Sequence, residues 1–173
     1  GMKVGYDLVK DFEHVSMVGT MPFILVVHPS LLVNSIDELI ALAKSKPGQL
    51  NYATAGIGTL PHLVWEMRKT ESNIDIIHIP YKGTSVAITD MLGGRVQILL
   101  VSFPTGLPHV QAGKVRALAV TGDKRAPALP DVRTMYEAGC PTLESHIWYA
   151  ILAPAGTPKE IVTQLNAALA KTL

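Results

Sequence analysis

Ala55-Gly56-Ile57-Gly58-Thr59 is the segment whose residue types and spacing could do the most definite chemistry. Gly56 and Gly58 let the backbone turn tightly and approach a ligand closely. Thr59 is a natural N-cap, and Pro61 fits a first helical turn whose amides lack intrahelical partners. A helix starting here offers free N–H groups and the positive end of a dipole, so an anion is stabilised without lysine or arginine. A plain strand-to-helix turn has the same composition, and on this loop alone both readings stand. The spacing fits neither a Walker loop nor a full dinucleotide fingerprint. His62, one turn into the helix, could serve Thr59 or Ser102 as the base of a small hydrolase or acyl transferase. No acid is placed in sequence to orient it, and the loop lacks a nucleophile elbow. A structural histidine that hydrogen-bonds the loop backbone is the preferred reading.

Two further loops carry polar chemistry. In His78-Ile79-Pro80-Tyr81-Lys82-Gly83, Tyr81 is expected to close over a ligand and Gly83 to start a helix, while Lys82 either attracts anions or is simply solvated. In Ser102-Phe103-Pro104-Thr105, Ser102 directly follows an apolar strand, so its hydroxyl is expected to point into the same crevice as the other two loops. The six histidines stand at 14, 28, 62, 78, 109 and 146, with no second histidine at i, i+4. No close acidic pair suits general acid–base work. The expectation is no metal, no cofactor and no catalytic residue. Cys140 allows no internal disulfide and reads as a small buried residue in a Gly139-Cys140-Pro141 turn.

The elements that must position these loops alternate. Strands are expected at 22–28, 50–54, 74–79, 96–101, 115–121 and 146–152. Helices are expected from Ser35 with Glu38 as its capping-box partner, from Thr59, from Thr84 or Ser85, over 104–112, briefly over 134–138, and from Pro158 within a Thr157/Glu160 capping box. Ile36, Leu39, Ile40 and Ala43 form the buried face of the first helix, and Leu60, Leu63, Val64 and Met67 one side of the second. Such alternation implies βαβ crossovers, an α/β fold and a mainly parallel central sheet flanked by helices. Ligands bind such sheets beyond the carboxyl ends of the strands. That rule selects the loops at 55–59, 80–85 and 102–105.

Bulk properties narrow the function classes. The chain has 173 residues, an apolar fraction of 48%, fifteen basic and fourteen acidic residues, and a formal charge of +1. With no basic stripe, nucleic acid is not an expected partner. No apolar run reaches membrane-spanning length. The opening Gly1-Met2-Lys3, without a signal peptide, and a last helix running to Leu173 read as the ends of a piece of a longer chain.

A family resemblance rests on several segments together. Tyr6-Asp7-Leu8-Val9-Lys10-Asp11-Phe12, Val26-Val27-His28-Pro29-Ser30, Pro47-Gly48-Gln49-Leu50-Asn51-Tyr52-Ala53-Thr54-Ala55-Gly56 with Gly58-Thr59 and His62, and His78-Ile79-Pro80-Tyr81-Lys82-Gly83 resemble the Bug/TctC receptors of tripartite tricarboxylate transporters. Asp90-Met91-Leu92-Gly93-Gly94, Ala112-Gly113-Lys114-Val115-Arg116-Ala117-Leu118-Ala119-Val120-Thr121, and Leu152-Ala153-Pro154-Ala155-Gly156-Thr157-Pro158 extend the resemblance to the end of the chain. It implies a periplasmic-binding-protein-like lobe of an extracytoplasmic receptor that holds a small carboxylate, dicarboxylate or aromatic or aliphatic acid, for membrane components of the transporter. Residues 1–14 would lead in from a first lobe, 15–152 form the ligand-binding second lobe, and 153–173 begin the return. Ala55, Gly56, Gly58, Thr59, His62, Tyr81, Lys82, Gly83, Ser102 and Phe103 would line the site. Many members carry an acidic residue and asparagine where this chain has Ser102-Phe103, which argues against a ligand amine. Surface bared around Trp148, Tyr149 and the last helix is expected to promote self-association.

Overall fold

A run of large apolar residues, Phe23-Ile24-Leu25-Val26-Val27, has the composition of a strand covered on both faces, and all five are buried. The computed structural model describes residues 5–140 and 146–173. Their elements, in chain order, are β1 (Phe12–Val27), α1 (Ile36–Ser45), β2 (Asn51–Thr54), α2 (Leu60–Ser72), β3 (Ile77–Pro80), α3 (Thr84–Leu92), β4 (Ile98–Ser102), α4 (Phe103–Gln111), β5 (Arg116–Val120), β6 (His146–Pro154) and α5 (Lys159–Ala170). The chain forms two compact units, Gly1–Met21 with Ile147–Leu173, and Pro22–His146.

In the unit Pro22–His146 the strand order is β3-β2-β4-β1-β5. Strand β2 is parallel to β3 and β4, whereas β1 is antiparallel to β4 and β5. Four strands therefore share one direction, as alternation predicts, and β1 alone opposes them. The register pairs Phe23 with Ser102 and Ile24 with Val101. Ile24, Val26, Ala53, Leu99, Val101 and Val120 form the sheet's part of the core, against Ala87, Ile88 and Met91 of α3. Helix α1 forms as its sequence requires. The Ser35 side chain accepts from Glu38 N, the Glu38 carboxylate accepts from Asn34 N, and Ile36, Leu39, Ile40 and Ala43 are its buried residues.

In the other unit, β6 pairs with β1, Ala155 N donates to Asp11 O, and Asn166 Nδ2 donates to Val15 O at 2.7 Å. Trp148 and Tyr149 are 64% and 48% exposed. Helix α5 has no fully buried residue: Val162 and Leu169 are half-buried, and Ile161 and Leu165 are exposed.

Three local expectations need correction. Helix α2 buries Pro61, Val64 and Trp65, while Leu60, Leu63 and Met67 are exposed. Both sets recur at helical spacing, so periodicity cannot choose between them. The indole of Trp65 has the largest area to bury, and it packs 5.6 Å from the Tyr52 ring. Residues 134–138 form hydrogen-bonded turns rather than a helix, with Thr134 in an isolated bridge to Val120. The Thr157/Glu160 capping box is not made: Pro158 is the N-cap, and the Thr157 hydroxyl donates to Pro154 O at 2.6 Å. Pro141, expected to end a turn after Cys140, lies outside the described residues.

Gly106 shows how closely α4 sits on the sheet. A Cβ there would meet Val101 Cγ1 at 2.7 Å and Ile24 Cδ1 at 3.4 Å. Both neighbours are buried β-branched side chains with little freedom to move. Gly106→Ala is expected to lower stability by about 1–3 kcal/mol through overpacking, measured by urea denaturation.

Candidate functional site

Because β2, β3, β4 and β5 point the same way, their carboxyl ends lie along one edge of the sheet. Three of them lead directly into helices α2, α3 and α4. The loops at 55–59, 80–85 and 102–105 thus share this edge, as expected from the strand order, and Tyr81 N donates to Thr54 O at 2.9 Å. Strand β1 runs the other way and delivers the chain to α1 at the opposite edge.

The helix starts on the two edges differ chemically. Helix α1 has a side-chain cap and two acids, Asp37 and Glu38, in its first turn. Helices α2, α3 and α4 have N-caps Thr59, Gly83 and Ser102, none with a side-chain cap hydrogen bond and none followed by a first-turn acid. Thr59 and Ser102 are residue types that commonly cap. Here the Thr59 hydroxyl instead donates to Gly56 O at 2.7 Å, and the Ser102 and Thr105 hydroxyls bond each other at 2.8 Å. The edge therefore presents three positive dipole ends without any acid of its own at the helix starts.

Each side chain beneath the first loop holds the loop itself. Gly56 and Gly58 have φ of 144° and 80°, values that exact a steric cost from any other residue. Buried Thr54 receives the Gly56 N–H at 3.2 Å and lies 2.7 Å from His78 Nε2. Gly58 N donates to His62 Nδ1 at 3.3 Å. His62 is thus a backbone-bonding histidine, as the sequence suggests. Its ring lies 4.3 Å from that of His78, which stacks on Tyr52 at 4.8 Å and 19°. Tyr52 donates to Glu66 at 2.6 Å, and Glu66 also takes Lys69 at 2.9 Å. Burial, reinforced by the Glu66 bond, pushes the Tyr52 hydroxyl far above its ordinary range. The Tyr52 bond is the main cause holding Glu66 below the usual carboxylate value. Burial, then the neighbouring His62, pushes His78 below the usual imidazole value.

The other expected site residues are placed as follows. Ala55 is half-buried. Tyr81 does not swing free over the edge, since its hydroxyl donates to Asp90 at 2.9 Å and Asp90 in turn pairs with Arg95 at 2.8 Å. Lys82 is exposed beside it, and Gly83, at φ 147°, starts α3. Phe103 packs against the core, which limits what its ring can offer a ligand. Sequence reasoning missed the carboxyl end of β5. There buried Thr121 accepts from Phe23 N at 2.7 Å, and Gly122, at φ 119°, leaves room for His146 Nε2, which a Cβ would meet at 3.4 Å. The sequence signal was present: a threonine and glycine directly after an apolar strand, as at Thr54.

As an active site this arrangement is poorly organised. His62 Nδ1 faces a backbone amide, and among the described residues neither the Thr59 nor the Ser102 hydroxyl is bonded to it. Cys140 is buried, and burial pushes its thiol up, away from the reactive thiolate. No group of three or more metal-ligating side chains occurs among the described residues.

The His78 shift makes a stability prediction. The folded state favours its neutral ring, so the unfolded chain binds the proton more readily. The contribution is fully present above the ordinary imidazole value and is lost as pH falls through the lower, folded one. His78→Gln should flatten this part of the thermal-unfolding profile between about pH 7 and pH 5, where the wild-type melting temperature falls.

The profile of the tripartite tricarboxylate transporter family receptor matches residues 2–173. BugT of Bordetella pertussis is 38% identical over 163 residues, covering 94% of this chain and 50% of BugT. Among solved structures, R. palustris Rpa4515 with adipate superimposes with a TM-score of 0.89 at 39% identity, over 97% of this chain and 56% of that one. MatC from Rhodopseudomonas palustris with bound malate gives a TM-score of 0.86 at 30% identity, over 98% and 58%. The chain spans about half the length of the curated relatives it matches. The profile match over residues 2–173 and the 38% identity to BugT place the chain in the tripartite tricarboxylate transporter receptor family.

Proposed function

We propose that the unit Pro22–His146 is the ligand-holding lobe of a periplasmic receptor. It binds a small carboxylate, hands it to the membrane components of a tripartite transporter, and catalyses nothing. The observation that carries this reading is the single edge bearing three helix N-termini without side-chain caps or first-turn acids. Backbone amides and dipole ends stabilise a carboxylate there, and the loop glycines let it approach. Two relatives, Rpa4515 with adipate and MatC with bound malate, support a dicarboxylate for this one. Ala55, Gly56, Gly58 and Thr59 contribute the first wall, Gly83 and Lys82 the second, and Ser102 the third. His62 and Tyr81 position these walls and, with Phe103, back them. Residues 153–173 begin the return to a further lobe.

A receptor that closes two lobes over its ligand gains hydrogen bonds from both walls. Calorimetry with adipate should therefore give tighter binding in the full-length receptor than in this chain alone. The expected gap is roughly a thousandfold, which corresponds to about 4 kcal/mol. Equal affinity in both would mean that this unit alone makes the site. Gly58→Val should weaken adipate binding by about tenfold or more. The cause is the strained φ of 80°, since a Cβ there meets no atom within 4 Å. Turnover of activated esters that disappears in His62→Ala would overturn the receptor reading in favour of acyl transfer.

A further inference from the structure

We propose that Tyr81 is a positioning residue that ties the glycine loop to helix α3, so that the first two walls of the site form one rigid piece. This deepens the carboxylate reading and rests on it. Three groups of Tyr81 reach three different elements. Its N–H donates to Thr54 O at 2.9 Å, one residue past the end of β3. Its carbonyl oxygen backs Gly56, where a Cβ would meet it at 3.6 Å. Its hydroxyl donates to Asp90 Oδ2 at 2.9 Å, in the second half of α3. One residue thus touches the strand end under the loop, the loop's first glycine, and the helix whose start is the second wall.

The hydroxyl bond is what makes the other two contacts firm. Tyr81 is followed by exposed Lys82 and by Gly83, which has no side chain to pack. The loop between β3 and α3 therefore takes its anchorage from Tyr81, whose ring packs against the core. Asp90 is a fixed point, since Ala87, Ile88 and Met91 beside it on α3 are buried, and Arg95 holds its Oδ1 at 2.8 Å. A hydroxyl donating to a carboxylate makes a stronger bond than a neutral pair. The position of Tyr81 is then passed to the first wall. Gly56 N donates to Thr54 Oγ1 at 3.2 Å, and Gly56 O accepts the Thr59 hydroxyl at 2.7 Å. Asp90, Tyr81, Gly56 and Thr59 form one chain of contacts from α3 to the start of α2. Residues that hold a binding loop from behind set the geometry it offers a ligand without touching the ligand.

The test is a double-mutant cycle of Tyr81→Phe and Asp90→Ala, which removes the bond from either end. In the ligand-free chain, each single variant should speed amide hydrogen exchange at Tyr81 and Gly56 on the order of tenfold. The double variant should exchange no faster than either single one. The amides of Ile88 and Met91, in the buried part of α3, should keep wild-type rates, which separates a loosened loop from a destabilised fold. In the full-length receptor, Tyr81→Phe should weaken adipate binding on the order of fivefold. Unchanged exchange at Gly56 in Tyr81→Phe overturns the proposal, as do additive effects of the two substitutions. Equal acceleration at Gly56 and Met91 overturns it too, because the bond then serves the fold as a whole. So does wild-type adipate affinity in Tyr81→Phe. No adipate binding in the wild-type receptor sinks the carboxylate reading instead, and exchange at Gly56 then decides the coupling by itself.

Discussion

The rest of the structure depends on β1 lying between β4 and β5 and running against both. Phe23 to Val27 are no more than 5% exposed and are hydrogen-bonded along both edges. A buried backbone must have its amides and carbonyls paired, and β4 on one side and β5 on the other meet that need here. The reversal of β1 sorts the helix starts. The chain leaves β1 at one edge and enters α1 there, whereas β2, β3 and β4 deliver α2, α3 and α4 to the other. No side chain at the site produces that segregation; it follows from topology and from the apolar character of one strand.

Segregation puts three helix starts on one edge and one on the other, and capping sharpens the difference. Every helix start carries amides without intrahelical partners. At α1 they are met by Ser35 and accompanied by Asp37 and Glu38, an arrangement that keeps an anion away. At α2 and α4, two capable residues, Thr59 and Ser102, turn their hydroxyls to Gly56 O and Thr105 instead. A conventional cap there would occupy the donors a ligand needs. The absence of first-turn acids at α2, α3 and α4 then matters more than any one positive side chain, because it leaves the dipole ends uncompensated.

What was legible in the sequence was what local chemistry decides. The α1 cap and its four buried residues, the glycine loop, and the strand–helix alternation all follow from neighbours within a few positions. So did the shared edge, because alternation implies a common strand direction. The buried side of α2 was not legible, because two apolar stripes compete and only the position of Tyr52 favours Trp65. The stack under the loop was hidden for a related reason. Tyr52 and His78 are brought side by side by the parallel register of β2 with β3, a pairing between residues far apart in sequence. Tyr81 misled because a tyrosine after a strand suggests a lid, whereas Asp90, on the helix that follows, captures its hydroxyl.

The stack also explains how a loop of glycines can be precise. Glycine gives the approach and the unusual φ, but it also gives the unfolded chain the most freedom to lose. Something must therefore fix the loop without filling the space a ligand requires. Thr54, Thr59 and His62 do so from below, each bonding loop backbone, while His78, Tyr52 and Trp65, in contact one after another, support the His62 ring. All of these contacts lie on the protein side of the loop. The outward side is left to the start of α2, whose dipole recognises charge and leaves the shape of the ligand's body to other walls. Precision and breadth are compatible here because the groups that shape the loop are separate from those it presents.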